Sequence, residues 1–352
     1  MSFNKERSRS PEAQVLKALD SWFGNHVPGV KLPLQWTPIV GGRSNLTFLV
    51  TARDGRRWVV RRPPYGLILP TAHDVGREFR ILSALADTDV PVAPVIGFCD
   101  DLSIFGAPFY AMDYVDGHVV RDAEIADSVL PIASRRRVGE SLVEGLVAIH
   151  GVNLEAVGLN QLGKQEFYVQ RQLRRWRTQL SDDGVDLGRP DAMLIETHDM
   201  LLASIPEQRE VAIVHGDYRL DNCIVHSTGD LAAVLDWELC TLGDPLSDVG
   251  LLLVYWGDRN DPYPVLANSP TSGSGFADGE ELLHHYESLT GRDISGIQFY
   301  VALGYWKLAC IFEGVYQRYL AGAPHLPGED VQGVGEHSIQ LARRAYAITR
   351  ML

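Results

Sequence analysis

Apolar residues repeat with helical spacing in three long segments of this chain. Residues 11–23, 74–86 and 135–150 each place their apolar side chains along one helix face, and Asp74 stands where a helix N-cap is expected. Residues 57–62 follow an Asp-Gly turn and predict a strand, in which alternating side chains put Val59 and Arg61 on one face. The pattern therefore predicts three amphipathic helices and a strand.

Two further segments have the composition of strands joined by turns. Residues 39–50 predict a strand, a Gly-Gly turn and a second strand, and residues 223–225 and 231–235 are short β-rich runs on either side of a turn at 227–230. The second hairpin would return Asp236 to a position beside Asn222.

Three side chains in this part of the chain have the chemistry that phosphoryl transfer requires. Moving a phosphoryl group from ATP to a hydroxyl needs a carboxylate that orients and deprotonates the acceptor, and hard oxygen ligands that hold Mg²⁺ against the phosphates. Asp217 is our candidate for the carboxylate, and Asn222 and Asp236 are our candidates for the metal ligands. Glu238 follows two positions after Asp236, so a secondary Mg²⁺ contact is an alternative to its solvation.

The run His215-Gly216-Asp217, continued to Asn222 and followed by Asp236, resembles the aminoglycoside phosphotransferase and choline kinase group, the small-molecule branch of the protein-kinase-like fold. Within that group, the chain is most similar to the kinase-like domains that some organisms fuse to acyl-CoA dehydrogenases. An isolated His-Gly-Asp is common in proteins, whereas the longer pattern fixes three polar positions with strands between them.

The resemblance implies an α+β, two-lobed protein-kinase-like fold that holds ATP between its lobes. Residues 1–112 would form a small β-rich N-lobe with an N-terminal helix, an antiparallel sheet and a glutamate-bearing helix. Residues 113–117 would form the hinge, and residues 118–352 a larger helical C-lobe with the catalytic loop and the metal-binding hairpin.

In the predicted N-lobe, the resemblance assigns several positions to the nucleotide. The glycine turn would cover the phosphates, because small residues let backbone amides approach an anion closely; a plain turn is the alternative. At the hinge, adenine would meet a backbone carbonyl and a backbone amide. The turn and hinge positions are Gly41, Gly42, Ser44, Asn45, Met112, Asp113 and Val115.

Arg61 would stand on strand 57–62 where the family often has a lysine that reaches the phosphates, with Val59 on the same face. Glu78 would pair with Arg61 and hold it toward the phosphates. Two alternatives are open: a slip of one residue would assign the role to Arg62, or the two arginines would only solvate an edge strand.

Three acidic or basic positions near the catalytic loop have two interpretations each. Arg219 would neutralise the transferring phosphoryl group, or form a salt bridge with Asp221 or Asp244. Asp248 or Asp244 would brace the catalytic loop by accepting its amide hydrogens, or would cap the helix that starts nearby.

An arginine-rich helix around Trp176 suggests where the acceptor binds. Arg171, Arg174 and Arg175 would recognise a phosphate-bearing acceptor such as a CoA thioester, and a solvated helix face with Trp176 packed inward is the alternative. The aromatic residues Tyr305, Trp306 and Tyr316 would form core, or line an acyl channel.

Composition narrows the class of protein. The chain has 352 residues, of which 45% are hydrophobic and 22% are charged, and a formal net charge of −13, which opposes binding to nucleic acid. The longest apolar run, residues 249–256, is too short to span a membrane. Residues 1–10 do not have the apolar core of a signal peptide. We therefore expect a cytoplasmic protein without a membrane partner. Four scattered cysteines predict buried free thiols. Residues 268–279 predict a surface loop, with a mobile loop over the site as the alternative.

The sequence therefore predicts an ATP- and Mg²⁺-dependent kinase that phosphorylates a hydroxyl of a small molecule. By resemblance, the first acceptor class is a hydroxyacyl-CoA, and the second is an aminoglycoside or another amino alcohol. A hypothesis of another class is a nucleotide-binding pseudokinase that scaffolds a partner enzyme such as an acyl-CoA dehydrogenase, and Arg61 in place of lysine leaves it open.

Overall fold

The computed structural model of the protein describes residues 11–39, 45–64, 74–182, 191–257, 265–266, 268–323 and 330–352. The chain forms two compact units. One contains Met1–Asp116 with Ala232–Glu238, and the other contains Gly117–Leu231 with Leu239–Leu352.

The first unit is built on a five-stranded antiparallel sheet in the order β1-β2-β3-β5-β4. Its strands are β1 (Gln35–Ile39), β2 (Leu46–Thr51), β3 (Arg57–Arg62), β4 (Val95–Cys99) and β5 (Phe109–Asp113). Its helices are α1 (Ala13–His26), α2 (Val75–Leu85) and the short α3 (Leu102–Phe105).

Strand β3 shows why the sheet has two different faces. Trp58, Val60 and Arg62 are buried, whereas Val59 and Arg61 lie on the opposite face and are partly exposed, as the alternation predicted. Strand β3 lies in the centre of the sheet, so the edge-strand interpretation of the two arginines is wrong. The slip of one residue is also wrong, because Arg62 is buried and donates hydrogen bonds to backbone carbonyls in the core.

Two helices of the first unit confirm the predicted apolar stripes. Helix α1 buries Leu19, Trp22 and Phe23 in an aromatic core beneath the sheet. Helix α2 begins after Asp74, whose side chain accepts a hydrogen bond from the Arg77 amide, as expected of an N-cap.

The second unit is mainly helical. Its helices are α4 (Ala123–Val129), α5 (Ile132–His150), α6 (Tyr168–Asp182), α7 (Asp191–Ala203), α8 (Leu246–Trp256), α9 (Gly279–Thr290), α10 (Ile297–Leu320) and α11 (Val331–Thr349). The short strands of this part of the chain are β6 (Ala212–Val214), β7 (Cys223–Val225), β8 (Leu231–Val234), which crosses the boundary between the units, and β9 (Thr241–Gly243). Strands β6 and β9 pair antiparallel with Ile213 opposite Leu242.

Helix α10 is the central element of the second unit, since it packs against α6, α7, α8 and α11. Tyr305, Trp306 and Tyr316 of this helix are buried, and the Trp306 indole donates to the Leu194 carbonyl, so these aromatic residues form core. Helix α5 packs against β6, which leads directly into the loop of His215.

Residues 268–279 differ from the predicted surface loop. Phe276 and Thr271 are buried, and the Trp256 indole donates to the Ala277 carbonyl at 2.9 Å. The Ser, Gly and Pro content correctly indicates turns. The few apolar side chains between the turns pack against α8, and the composition does not predict this packing.

The four cysteines are free and buried, as predicted. Among the described residues, none of the helices combines the length and the apolar character needed to cross a membrane.

Candidate active site

In the first unit, Glu78 lies at the centre of a buried polar network. Its carboxylate accepts hydrogen bonds from the Tyr110 hydroxyl at 2.9 Å and from the Asn45 side-chain amide at 2.8 Å. The guanidinium of Arg61 lies 3.4 Å from the same carboxylate. The predicted pairing of Arg61 with Glu78 is therefore present, and Asn45 contributes by holding Glu78.

Arg61 also contacts Asp236, its second acidic partner. The Nη2 of Arg61 donates to Oδ1 of Asp236 at 3.1 Å. Asp236 has a φ of 64°, an uncommon left-handed conformation for a residue other than glycine. Such strain is found often at functional sites, and here it accompanies the carboxylate that faces Arg61.

Charge and burial oppose each other in this network. Burial raises the pKa of Glu78, and the nearby Arg61 charge only partly offsets that effect. Burial alone would lower the pKa of Arg61, but Tyr110, Glu78 and Asp236 together raise it above its ordinary value. Arg61 therefore stays charged beside two acidic groups.

The first unit also holds a group of oxygen donors suited to a hard cation. Glu78, Asp236 and Glu238 each offer a carboxylate oxygen, and these three atoms lie within 4.8 Å of one another. Carboxylate oxygens are ligands that Mg²⁺ prefers. The set contains Asp236, one of the two predicted metal ligands, and the secondary Mg²⁺ contact of Glu238 stays a prediction.

Hydrogen bonds already occupy some backbone amides of the predicted adenine-binding segment, which limits the amides that can bind adenine. The Asp113 amide donates to the Pro94 carbonyl at 2.8 Å and the Tyr114 amide to the Arg57 carbonyl at 3.3 Å. Of these three consecutive amides, only that of Val115 has no partner among the described residues. If adenine binds here, Val115 is the amide donor, and Met112 lies buried on strand β5 beside it. Gly41, Gly42 and Ser44 of the predicted phosphate loop lie outside the described residues.

In the second unit, Asp217 and Asn222 are joined directly. The Asn222 side-chain nitrogen donates to the backbone carbonyl and to the Oδ2 of Asp217, both at 2.9 Å. The amide nitrogen is thereby committed to Asp217, which leaves the Asn222 oxygen as the atom available to a cation. Asp236 belongs to the first unit, so its predicted position beside Asn222 stays a prediction.

A buried carboxylate braces the loop that carries Asp217. Asp248 on α8 accepts the His215 amide at 2.6 Å and the Gly216 amide at 2.9 Å. Of the two predicted candidates, Asp248 is therefore the brace. Asp244 instead accepts the Leu246 amide at 3.0 Å and the Tyr300 hydroxyl at 2.6 Å, which is the capping alternative.

His150 links Asp248 to the helical core. Its ring nitrogens lie 3.4 Å from the Asp248 carboxylate and 2.8 Å from the Tyr286 hydroxyl. Burial alone would raise the pKa of Asp248, but hydrogen bonds and charge from His150, together with His215, hold it below its ordinary value. Asp248 is therefore ionised and able to accept both amides of the loop.

Gly216 is required by the geometry of this loop. It has a φ of +83°, and a Cβ atom here would lie 3.0 Å from the Leu239 carbonyl oxygen. The Nζ of Lys307 on α10 donates to the Gly216 carbonyl at 2.7 Å. The backbone immediately before Asp217 is thus fixed on both sides, by Asp248 and by Lys307.

Arg219 forms the salt bridge that was one of its two predicted roles. Its Nε lies 3.0 Å from Oδ1 of Asp221 and 3.4 Å from Oδ2 of Asp217. Its guanidinium also stacks over the Tyr255 ring at 4.6 Å. Arg219 therefore lies next to the proposed base, and the neutralising role stays a prediction.

The predicted acceptor arginines differ in their surroundings. Arg171 is half-buried and donates to the Lys164 carbonyl at 2.6 Å, which gives it a structural contact. Arg174 and Arg175 are exposed, and Arg175 stacks over the Trp176 ring at 5.0 Å. Trp176 itself is buried, as the alternative interpretation expected.

Comparison with known proteins identifies the family. The model of the phosphotransferase enzyme family, APH, matches residues 35–281. The chain belongs to this phosphotransferase family. It is 35% identical over 318 residues to acyl-CoA dehydrogenase family member 10 of Mus musculus, covering 89% of this chain and 29% of the mouse protein. It is 33% identical to acyl-CoA dehydrogenase family member 11 of Rattus norvegicus, covering 94% of this chain and 43% of the rat protein.

Two solved structures share the fold. A "putative aminoglycoside phosphotransferase" of Ralstonia eutropha JMP134 is 31% identical with a TM-score of 0.79, covering 95% of this chain and 98% of that one. A thermostable mutant of aminoglycoside phosphotransferase APH(4)-Ia, in a ternary complex with AMP-PNP and hygromycin B, is 18% identical with a TM-score of 0.60, covering 96% and 98%. The predicted α+β, protein-kinase-like fold is confirmed.

For this phosphotransferase family member, sequence reasoning missed three residues that build the site. Tyr110 and Tyr286 look like core aromatics in the sequence, and only their hydroxyl contacts show their role. Lys307 did carry a signal, since it is the only lysine or arginine in residues 297–317, an otherwise apolar helix.

Proposed function

We propose that this protein transfers the γ-phosphoryl group of Mg-ATP to a hydroxyl of a small molecule. The observation that carries the proposal is the loop of Asp217, in which Asp248 holds the preceding backbone and Asn222 holds the carboxylate. A side chain fixed in this way is positioned before the acceptor binds, and positioning supplies much of the catalysis of phosphoryl transfer.

Each group has a role in the proposed reaction. Asp217 accepts a hydrogen bond from the acceptor hydroxyl and takes its proton as the oxygen attacks the γ-phosphorus, while the bond from the γ-phosphorus to the bridging oxygen breaks and ADP leaves. Asn222 and Asp236 would hold Mg²⁺, which supplies charge neutralisation at the phosphates. Arg61, oriented by Glu78, would grip the nucleotide phosphates with its planar guanidinium.

The nucleotide assignment has support from two directions. The structurally similar APH(4)-Ia mutant was crystallised with AMP-PNP. In this chain, the Val115 amide and the Val59–Arg61 face of β3 have the donors and the exposure that a nucleotide needs. Residues 113–117 are the proposed hinge in this scheme.

The proposed acceptor is a hydroxyacyl-CoA. Two curated relatives are named as acyl-CoA dehydrogenase family members, and the chain spans less than half of the length of each. In each of these longer relatives, a segment similar to this chain belongs to a protein named for acyl-CoA dehydrogenases. This arrangement is consistent with an acyl-CoA acceptor and with a functional link to the dehydrogenase. Exposed Arg174 and Arg175 could contact the CoA phosphates.

An aminoglycoside is the second candidate acceptor, since two of the solved structures with this fold are named as aminoglycoside phosphotransferases, one of them as "putative". Charge distinguishes the two classes. An anionic CoA should depend on Arg174 and Arg175, whereas a polyamine should depend on acidic residues of the second unit.

The experiment is to incubate the purified protein with Mg-ATP and a panel of 3- and 4-hydroxyacyl-CoAs and aminoglycosides. We expect a product heavier by one phosphoryl group with at least one hydroxyacyl-CoA, detected by mass spectrometry. The reaction without Mg²⁺ is the control. Nucleotide binding with no phosphorylated product from the whole panel would contradict the proposal and favour the pseudokinase hypothesis.

A further inference from the structure

A small cavity lies beside Gly216 in the second unit, where the loop of Asp217 meets helices α6, α8 and α10. Its volume is about 30 Å³. Its polar lining comes from Tyr168, Gln172, Trp176, Ser247, Asp248, Tyr300 and Lys307. A cavity needs roughly 10–15 Å³ to hold one water molecule, so this one has space for a group of one or two heavy atoms.

Two buried polar atoms of the lining lack a partner. The Nε1 of Trp176 and the Oγ of Ser247 make no hydrogen bond to any residue that the structure describes. Trp176 is only 6% exposed. Because a buried donor without a partner costs about 1–3 kcal/mol, a ligand that supplies an acceptor here would be stabilised.

Lys307 brings a positive charge to the lining of the cavity. Lys307 uses one of its donors on the Gly216 carbonyl, and its Nζ lies 5.6 Å from the centre of the Trp176 ring. A lysine ammonium has three donors and no acceptor, and an indole N–H can only donate. Asp248 also lines the cavity, but its carboxylate already accepts the His215 and Gly216 amides, and its negative charge offsets that of Lys307. The donors left for a ligand are therefore the indole N–H and the remaining Lys307 hydrogens.

We propose that this cavity is the part of the acceptor site that fixes specificity, and that it binds a carbonyl oxygen of the molecule that is phosphorylated. The inference rests on the proposed function, because it takes Asp217 as the base. Gly216 lines the cavity and precedes Asp217 directly, so a group bound here would anchor the acceptor near the base.

The free donors favour a carbonyl over an ammonium group. An ammonium group has no lone pair for Trp176 or Lys307, and the Asp248 carboxylate in the lining already accepts two loop amides, whereas an acyl carbonyl has lone pairs for both donors. Exposed Arg175 stacks on the Trp176 ring. The cavity thus favours an acyl carbonyl over the ammonium group of an aminoglycoside. Ordered water would satisfy the same donors and is the competing occupant.

The first test is a binding measurement that needs no turnover. The chain has seven tryptophans, and Trp176→Phe removes and so assigns one indole N–H signal in a ¹⁵N-correlated NMR spectrum. We expect that signal to shift when 3- or 4-hydroxyacyl-CoAs are added at saturation, and not with hygromycin B. If no hydroxyacyl-CoA moves it, the cavity holds water only and the proposal is wrong.

The second test measures the contribution of each donor to acceptor affinity. Lys307→Gln can still donate to the Gly216 carbonyl but has no charge, so it separates affinity from loop positioning. We expect Lys307→Gln and Trp176→Phe each to raise KM for the hydroxyacyl-CoA about tenfold, with kcat and nucleotide affinity changed much less.

Matched controls are available for both variants. Arg343→Gln removes a positive charge at an exposed position of α11. Trp36→Phe removes another indole that is 6% exposed and whose Nε1 lacks a partner, but in the first unit. If the KM for the hydroxyacyl-CoA is the same in all four variants, the cavity does not bind the acceptor. A wild-type protein that phosphorylates no compound of the panel contradicts the proposed function instead, whatever the NMR spectrum shows.

Discussion

The two units hold their acidic residues in place by different means. In the first unit, Glu78 and Asp236 face the long side chain of Arg61, at 3.4 Å and 3.1 Å. In the second, Asp248 faces two backbone amides, which cannot move without the loop. A side-chain network can adapt when a ligand replaces one partner, whereas a carboxylate bound to backbone fixes a single conformation.

This difference matches the work proposed for each unit. Phosphates and Mg²⁺ enter and leave with every turnover, so the groups that contact them must exchange partners. The base has to stay in one place, because the geometry of attack tolerates little error. The comparison therefore predicts that conservative substitutions are tolerated in the first unit and not in the loop of the second.

The largest effect is expected at Asp217. Asp217→Asn keeps the shape and the hydrogen bond from Asn222 but cannot take a proton, so we expect kcat to fall by about 10³-fold, with ATP affinity retained. Steady-state kinetics and nucleotide titration measure both. Asp87→Asn, at an exposed position, is the control, and turnover retained in Asp217→Asn would contradict the assignment.

The second-largest effect is expected at Asp248, which braces the loop of Asp217. Asp248→Asn places an amide nitrogen where only acceptors fit, so we expect a loss of about 3 kcal/mol in the free energy of unfolding by denaturant. Asp244→Asn, at the helix cap of the same α8, should lose about 1 kcal/mol. Equal losses in the two variants would mean that Asp248 has no special role in holding the loop.

The contribution of Asp248 to stability should also depend on pH. The pKa of Asp248 is lower in the folded protein than its ordinary value of 3.8, so its contribution to stability is present above that value. The contribution is lost as the pH falls through the folded pKa. We therefore expect the difference in Tm between wild type and Asp248→Asn to be constant from pH 7 to 5 and to shrink below pH 4. A difference that grows on acidification would contradict this sign.

The smallest effect is expected at Arg61, and it tests the adaptable network. Arg61→Lys keeps the charge near Glu78 but loses the planar guanidinium, so we expect KM for ATP to rise about tenfold with kcat less affected. Arg57→Lys, an exposed position on the same strand, is the control. If Arg61→Lys loses as much activity as Asp217→Asn, the first unit tolerates conservative substitutions no better than the second.

The resemblance to the kinase-like family implied the pairing of Arg61 with Glu78, and strand alternation, which is a local property, put Arg61 on the partly exposed face of β3. The sequence also located the loop of Asp217 and Asn222, since residues five apart on a tight turn must stay close. It could not choose between Asp244 and Asp248, because both precede or begin the same helix and only packing decides which one meets the His215 amide. The burial of residues 269–271 and 276–277 was missed for the same reason.

By itself, then, the sequence determined the family and the fold class and suggested the residues of the proposed chemistry, because motifs and periodicity depend on neighbours along the chain. Only the tertiary structure placed Lys307, from helix α10, on the Gly216 carbonyl, and Tyr110 on Glu78. Those contacts join residues 91 and 32 positions apart, and no local pattern encodes them. They form because burying apolar helix and sheet faces brings the few polar groups on those faces together, where each must find a partner.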